Sequence, residues 1–237
     1  MFIAFEHRPS GSPFVERVWR CHSRLGGAFY SMAEGNLELV ITRVPGWVFA
    51  TLRGPVTKAC RVECPPNGEW LAIRFRPGTF LPQLPTALLL NHSDLNCPVS
   101  GDRFWFAGRM WEIPNFENAE AFVEHLARRG IIARDGAVSA VVSGDPQPLT
   151  LRSVQRHFLR ATGMTHGQFR QIERARQAVD LLRSGSSILD VVYAAGYFDQ
   201  AHLTRSLKHL IGLTPAKIVR GDDQLSFSYK TAPAAVR

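Results

Sequence analysis

The chain has 237 residues, of which 45% are hydrophobic and 20% charged. This composition suits one or two packed domains and excludes a disordered or fibrous protein. The amino-terminal stretch lacks a basic segment followed by a long apolar run, and no later segment approaches about 18 consecutive apolar residues. We therefore expect a cytoplasmic protein without a membrane partner. Four cysteines, all in the first half, are too few for a disulfide-stapled secreted domain and predict free thiols.

The net charge of +8 is distributed unevenly. Residues 1–149 carry 15 Lys and Arg against 14 Asp and Glu, whereas residues 150–220 carry 11 against 4. A local basic excess favours a polyanion or an anionic membrane surface, because association releases the partner's counterions. Charge alone leaves open a solvated basic face with no partner.

The first half of the chain is patterned like β-strands. Runs of β-branched, aromatic and aliphatic residues at 37–43, 47–53 and 70–76 are separated by Pro and Gly breaks. Such runs predict short antiparallel strands in a barrel or sandwich. Arg74 and Arg76 alternate with Phe75 and share the opposite face of their strand, which makes these two arginines the candidate contacts for a small acidic effector.

Other candidate sites in this half carry less information. The aromatic residues between positions 70 and 111 suit a ligand pocket or a plain aromatic core. Cys60 and Cys64, with His22 or His92, offer zinc-ligand chemistry, but the Cys-x-x-Cys spacing and a second pair are missing. We therefore expect no metal, no cofactor and no catalytic residue.

Helical patterns begin near Asn118. Apolar residues recur at helical spacing over 118–129, a short helix is predicted over 136–142, and the sequence SGDPQP (143–148) predicts a loop. The sequence then repeats itself at an offset of 49 residues, which aligns LRSVQRHFLRATGMT (151–165) with QAHLTRSLKHLIGLT (200–214).

Both repeat segments place apolar residues at i, i+4 and i+7, which predicts one buried stripe on each helix. Thr150 and Asp199 are the expected N-caps, and Gly163 and Gly212 the expected C-terminal stops. Arginine, glutamine and small residues on the opposite faces suit a major groove. The candidate DNA contacts are Arg152, Ser153, Gln155, Arg156, Arg160, Gln200, Ala201, His202, Thr204, Arg205, Lys208 and His209.

Each repeat segment also has a helical pattern before it, at 136–142 and at 187–197. Helix, turn, helix is the layout of a DNA-binding unit, and Gly196 lies where the second turn needs a flexible residue. The intervening residues 166–185 predict a linker helix of roughly 16 residues, about 25 Å long. Such a linker could hold two recognition helices near one DNA turn apart, about 34 Å.

The stretch SILDVVYAAGYFDQAHLTRSLKHLIGLTPAKI (187–218) resembles the second DNA-binding unit of the AraC/XylS family of bacterial transcriptional regulators, including the Gly196-Tyr197 turn. The resemblance covers about residues 133–220, with Arg174 and Leu182 in the linker helix. It implies that the helices at 151–161 and 200–210 are recognition helices. It also places Arg152, Gln155, Arg156, Gln200, His202 and Arg205 at or near base-contacting positions.

This chain departs from the family pattern at two places. Leu203 and Leu207 replace frequent aromatics, and the first unit's turn, with Gly144, Pro146 and Pro148, looks longer than usual. The sequence therefore leaves two roles open for the first unit: it contacts bases, or it contacts only phosphates and anchors the protein. The first half resembles, more weakly, the cupin-type sensor regions of the family.

We therefore predict an α+β protein with a β-rich, cupin-like amino-terminal domain, followed by an all-α domain of two helix-turn-helix units joined by a linker helix. The expected divisions are a sensor or dimerisation domain at 1–115, a connecting helix at 116–132, a DNA-binding domain at 133–220 and a flexible tail at 221–237.

The predicted function is sequence-specific regulation of transcription, controlled by an effector or by dimerisation. Double-stranded DNA is the expected partner, and RNA polymerase, a small-molecule effector and a second copy of the chain are further candidates. Two alternatives stay open at this point: a cupin-like enzyme with a regulatory helical appendage, and a protein-interaction module that binds acidic partners.

Overall fold

The computed structural model describes residues 3–91, 93–145 and 148–221. The strands are β1 (Ile3–Pro9), β2 (Val15–Ser23), β3 (Gly27–Ser31), β4 (Glu38–Val44), β5 (Trp47–Arg53), β6 (Cys60–Cys64), β7 (Gly68–Phe75), β8 (Thr79–Phe80), β9 (Leu95–Cys97), β10 (Val99–Ser100), β11 (Arg103–Phe106), β12 (Arg109–Glu112) and β13 (Ala133–Arg134). The helices are α1 (Ala119–Arg128), α2 (Gly136–Ser143), α3 (Leu151–Thr162), α4 (His166–Arg183), α5 (Ile188–Ala194), α6 (Gln200–Leu210) and α7 (Pro215–Arg220), with a 3₁₀ helix at Thr86–Leu89. The predicted α+β organisation, β-rich and then helical, is confirmed.

An antiparallel sheet in the order β1-β2-β7-β4-β5-β9 organises the β-rich part. The three strands predicted from sequence are β4, β5 and β7, which lie side by side within it. One face packs against β10 to β12 and α1, with Val18, Ile73, Phe104 and Leu126 in the shared core. The other face packs against the β3–β6 ribbon. Because side chains alternate along each strand, both faces of this sheet are covered.

The helical part packs around α4, whose apolar stripe lies in one core with those of α3 and α6. Its length of 18 residues corresponds to about 27 Å. Helices α2 to α7 each begin at a side chain that accepts a hydrogen bond from a backbone amide one turn ahead, an arrangement worth about 1 kcal/mol per helix. These caps are Asp135, Thr150, Thr165, Ser187, Asp199 and Thr214. The predicted caps Thr150 and Asp199 are among them.

The β-rich and helical parts share a core. Met32 and Ala33 pack with the helices, and α1, expected as a connecting helix, packs into the β-rich core through Val123 and Leu126. The residues of β13, expected to begin the DNA-binding domain, pair instead with β8. The division of the chain at 115, 132 and 220 stays a prediction.

Several expectations concern residues outside the described ranges. Pro146, in the expected loop before the first recognition helix, is one such residue, and residues 222–237 of the expected tail are others. His92, considered as a metal ligand, is also outside. Ser143, the first residue of the expected loop, is the last residue of α2.

Candidate DNA interface

The first predicted recognition helix is α3. The Thr150 hydroxyl accepts a hydrogen bond from the Ser153 amide at 3.2 Å, and Gly163 ends the helix with a φ of +69°, a conformation that favours glycine. The predicted stripe of Val154, Phe158 and Ala161 is buried. Consequently the opposite face, with Arg152, Gln155 and Arg156, is exposed.

The second predicted recognition helix, α6, has the same arrangement. Asp199 accepts from the His202 amide at 2.6 Å, the predicted apolar stripe is buried, and Gly212 follows the helix with a φ of +89°. Arg205 and Lys208 lie exposed on the opposite face.

Four cations on these faces are free to meet a partner. Within the described ranges, the side chains of Arg152, Arg156, Arg205 and Lys208 have no hydrogen bond, ion pair or ring contact. Guanidinium groups so placed can bond bidentately to guanine or to a phosphate. Each of the two helices thus presents a basic surface with unpaired cationic side chains.

Other predicted contacts are engaged within the protein. The Arg160 guanidinium donates to Asp135 at 2.6 Å and lies over the Phe80 ring. The Phe198 amide donates to Nδ1 of His202 at 3.4 Å, and the Thr204 hydroxyl donates to the Gln200 carbonyl at 2.8 Å. Of the remaining candidates, Gln155, Gln200, Ala201 and His209 are exposed and Ser153 is half-buried.

Asp135 links the two helices of the first unit, a role that the sequence analysis missed. Its carboxylate, buried at the start of α2, accepts from Ala137, Val138, His157 and Arg160. Burial alone would raise the pKa of Asp135, but the hydrogen bonds from His157 and Arg160 outweigh it and the pKa is lowered. An Asp just before a helix is a sequence signal for an N-cap. No sequence pattern indicated that the same carboxylate would also bind His157 and Arg160 in α3.

The turn of the second unit is held by the linker helix. Arg174, which sequence analysis noted only through the family resemblance, donates to the Gly196 carbonyl at 3.3 Å and stacks over the Tyr197 ring. Gly196 has a φ of +68°, as its predicted place in the turn requires. Phe198 lies in the same turn, two residues before α6 begins, and its side chain is 90% exposed.

The β-rich part forms hydrogen bonds to the C-terminal end of α6. The Ala33 amide donates to the Leu210 carbonyl at 2.7 Å, and the Ala59 amide donates to the His209 carbonyl at 2.9 Å. The last carbonyls of a helix have no partner within it, so these two bonds satisfy groups that α6 leaves open. A Cβ on Gly212 would lie 2.4 Å from the Tyr30 ring, which shows how closely the two parts approach.

The candidate effector contacts, Arg74 and Arg76, lie at the end of β7 in the β-rich part. Arg74 is completely buried and ion-paired with Glu16 and Glu34. Arg76 donates to the carbonyls of Ser10 and Ser12 at 2.8 and 2.9 Å. Arg76 therefore already has acceptors in the protein, whereas the buried nitrogens of Arg74 have ion-pair partners but no hydrogen bond among the described residues.

In residues 3–91, 93–145 and 148–221, no three His, Cys, Asp or Glu side chains are grouped so that they could hold a metal ion. None of the helices in the same ranges is both long and apolar enough to cross a membrane.

Comparison with known proteins locates a recognised domain in the helical part. Residues 148–221 match a family model described as a helix-turn-helix domain. The uncharacterized HTH-type transcriptional regulator YidL of Escherichia coli is 32% identical over 72 residues, 30% of this chain and 24% of that protein. The HTH-type transcriptional regulator RipA of Corynebacterium glutamicum is 32% identical over 75 residues, 32% of this chain and 23% of that protein.

The matches to curated relatives cover about a quarter of their length. Among solved structures, the alignment with ToxT from Vibrio cholerae covers 92% of this chain and 97% of the ToxT chain, with 11% identity and a TM-score of 0.38. A second ToxT structure, with a bound unsaturated fatty acid, covers 92% of this chain and 94% of its own, with 8% identity and a TM-score of 0.35. The resemblance of residues 148–221 to a helix-turn-helix domain of the AraC type is confirmed.

Proposed function

We propose that this chain, whose residues 148–221 carry an AraC-type helix-turn-helix domain, regulates bacterial transcription by binding a specific duplex DNA site through α3 and α6. The observation that carries the proposal is the pair of capped helices α3 and α6, each with an exposed basic face on which Arg152, Arg156 and Arg205 are unpaired among the described residues. Unpaired arginines on a helix suit the donor and acceptor pattern of a major groove.

The proposed roles divide by position on each helix. Arg152, Gln155 and Arg156 of α3, and His202 and Arg205 of α6, read bases. Lys208, His209 and Arg160 contact phosphates, with Arg160 using guanidinium nitrogens other than the one bound to Asp135. Phosphate contacts fix the register of a protein on DNA, whereas base contacts specify the sequence. The flanking contacts are Ser153, Gln200, Ala201 and Thr204.

A pair of substitutions on α6 separates these roles. We expect Arg205→Ala to weaken binding to the selected site by about 1–3 kcal/mol and to relax specificity at one base pair. Lys208→Ala should weaken binding to all sequences alike and reduce the slope of log K against log salt by about one unit. Titration of both variants against the site and its single-base changes, over a salt series, measures this. Equal losses on every sequence for Arg205→Ala would contradict its role.

The proposed control through the β-rich part is supported by two segments that both line a cavity and cap the end of α6. Met32 and Glu34 line a cavity between β3–β6 and the main sheet, whereas Ala33, between them, caps α6. Val56 lines the same cavity, and Ala59 in the same loop caps α6 as well. A molecule in the cavity would therefore touch the segments that hold a recognition helix.

Ion pairs extend this connection to the linker helix. The Glu34 carboxylate contacts Arg74 within the β-rich part and lies 3.7 Å from the Arg176 guanidinium of α4. The acidic effector expected at Arg74 would have to displace Glu16 or Glu34. Glu34, which lines the cavity, in this proposal couples the cavity wall to α4, and Arg74 holds Glu34 from within the β-rich part.

A further inference from the structure

The cavity behind Glu34 has a volume of about 460 Å³, within the range of small-molecule sites. It lies between the β3–β6 ribbon and the face of β2, β4, β5 and β7 that carries Trp19. The lining combines aromatic rings with carboxylates: Trp19, Phe29, Phe49, Trp70, Glu34, Glu38, Glu63 and Asp94, with one cation, Arg53.

The aromatic walls are held in place by their neighbours. A Cβ on Gly68 would lie 2.2 Å from the Trp70 ring, so the indole lies directly against the backbone two residues before it. Trp19 packs beside Phe5, with ring centroids 5.8 Å apart. The faces of tryptophan rings attract cations through their quadrupole.

Glu38 is the buried acid of this cavity, 7% exposed. Its Oε1 accepts from Nε1 of Trp19 at 3.1 Å, and Oε2 has no hydrogen-bond donor among the residues that the structure describes. Desolvation raises the pKa of Glu38 above its ordinary value, and the donor from Trp19 and the charge of Arg53 only partly offset it. A buried carboxylate with an open acceptor costs stability, and a positively charged partner would offset that cost.

The other charges of the lining are already matched. Glu34 pairs with Arg74, Glu63 with Arg61 at 2.8 Å, and Asp94 lies 3.9 Å from Arg53. Of the four carboxyls that line the cavity, Glu38 is the one without an ion pair to another described residue.

We infer that this cavity binds a small organic cation, with its ammonium group against Glu38 and an apolar or aromatic body between the tryptophan rings. The inference deepens the proposed control by naming the chemical class of the effector. It rests on the proposed function for its consequence on DNA, whereas the binding event stands on the cavity alone.

Three probes, each a phenyl ring on a three-carbon chain with a different head group, test the inference on the full chain: phenylpropylammonium, phenylpropanol and phenylpropionate. We expect the cation to bind about tenfold or more tightly than the alcohol and the anion, because its hydrogen bond to Glu38 is charge-assisted. Titration calorimetry without DNA measures this. Preference for the anion, equal binding of all three, or no binding of the cation at millimolar concentration would overturn the inference.

Two variants assign the preference to this cavity. Glu38→Gln keeps an acceptor for Trp19 and should abolish the roughly tenfold advantage of the cation, while binding of the alcohol is unchanged. Glu69→Gln, at an exposed carboxyl outside the lining, is the matched control and should bind the probes like the parent chain. Unchanged cation preference in Glu38→Gln would place the site elsewhere.

A third variant covers the outcome in which Glu38→Gln does not fold. Phe49 is 46% exposed, so Phe49→Leu should fold, and we expect it to weaken binding of the cation several-fold more than binding of the alcohol. Equal losses for both probes would contradict an aromatic wall that contacts the cation. DNA binding without probe binding would refute this inference alone, and probe binding without DNA binding would refute the proposed function alone.

Discussion

The carboxylate of Asp135 joins both helices of the first helix-turn-helix unit. It caps α2 through the Ala137 and Val138 amides at 3.1 and 3.2 Å, and it accepts from His157 and Arg160 in α3 at 2.9 and 2.6 Å. One side chain therefore sets the position of the first recognition helix against the helix before it.

Substitution of Asp135 tests this link. Asn keeps an acceptor for the cap but loses the charge, so we expect Asp135→Asn to lower the free energy of unfolding by about 1–3 kcal/mol at neutral pH. Urea titration measures the change, and Asp145→Asn, at an exposed position, is the control. Equal stability of Asp135→Asn and the parent chain would show that the bonds to α3 contribute nothing.

The same carboxylate predicts a pH dependence of stability. Because its pKa is lower in the folded than in the unfolded chain, its contribution is complete above the unfolded pKa and is lost as the pH falls through the lowered folded pKa. The difference between the parent chain and Asp135→Asn should therefore shrink in that acidic range. A difference that grows on acidification would contradict the assignment.

At the scale of elements, the end of α6 is one of the points where the β-rich part meets the helix-turn-helix units, beside contacts at α3 and α4. Two backbone amides cap its carbonyls, and Tyr30 packs directly on Gly212. The exposed residues Arg205 and Lys208 stay uncovered in this arrangement. The contact therefore positions α6 without covering the face that we propose binds DNA.

Removal of the Tyr30 ring tests whether this positioning matters. We expect Tyr30→Ala to weaken binding to the selected DNA site roughly three- to tenfold, because a loosened helix must be ordered again on binding. Trp105→Ala, which removes a half-exposed ring elsewhere in the β-rich part, is the control in the same titration. Tighter binding by Tyr30→Ala would mean that the contact inhibits, and unchanged binding would mean that it is passive.

At the scale of the whole molecule, the features predicted from sequence are those with local causes. The recognition helices followed from the spacing of Val154, Phe158, Leu203 and Leu207 and from their caps, which depend on neighbours within one or two turns. The central strands followed from short apolar runs in the same way.

The contact between the two parts had no local signal. Ala33 and Ala59 hold α6 through backbone amides, which any residue except proline supplies. The ion-pair partners of Arg74 and Arg160 lie far from them in the sequence. The alternation of side chains along the strand predicted which face Arg74 lies on, but it could not predict that Glu16 and Glu34 would be its partners. The register pairs Glu38 with Arg74 across neighbouring strands, and a sequence does not reveal which strands are neighbours.

The central claim is that α3 and α6 read one DNA site together. Selection of the full chain on a random duplex library, in parallel with Arg156→Ala and Arg205→Ala, tests it most directly. We predict a motif of two blocks about one helical turn, or roughly 10 base pairs, apart, with each variant relaxing a different block. The absence of any motif, or a motif that neither substitution changes, would contradict the claim.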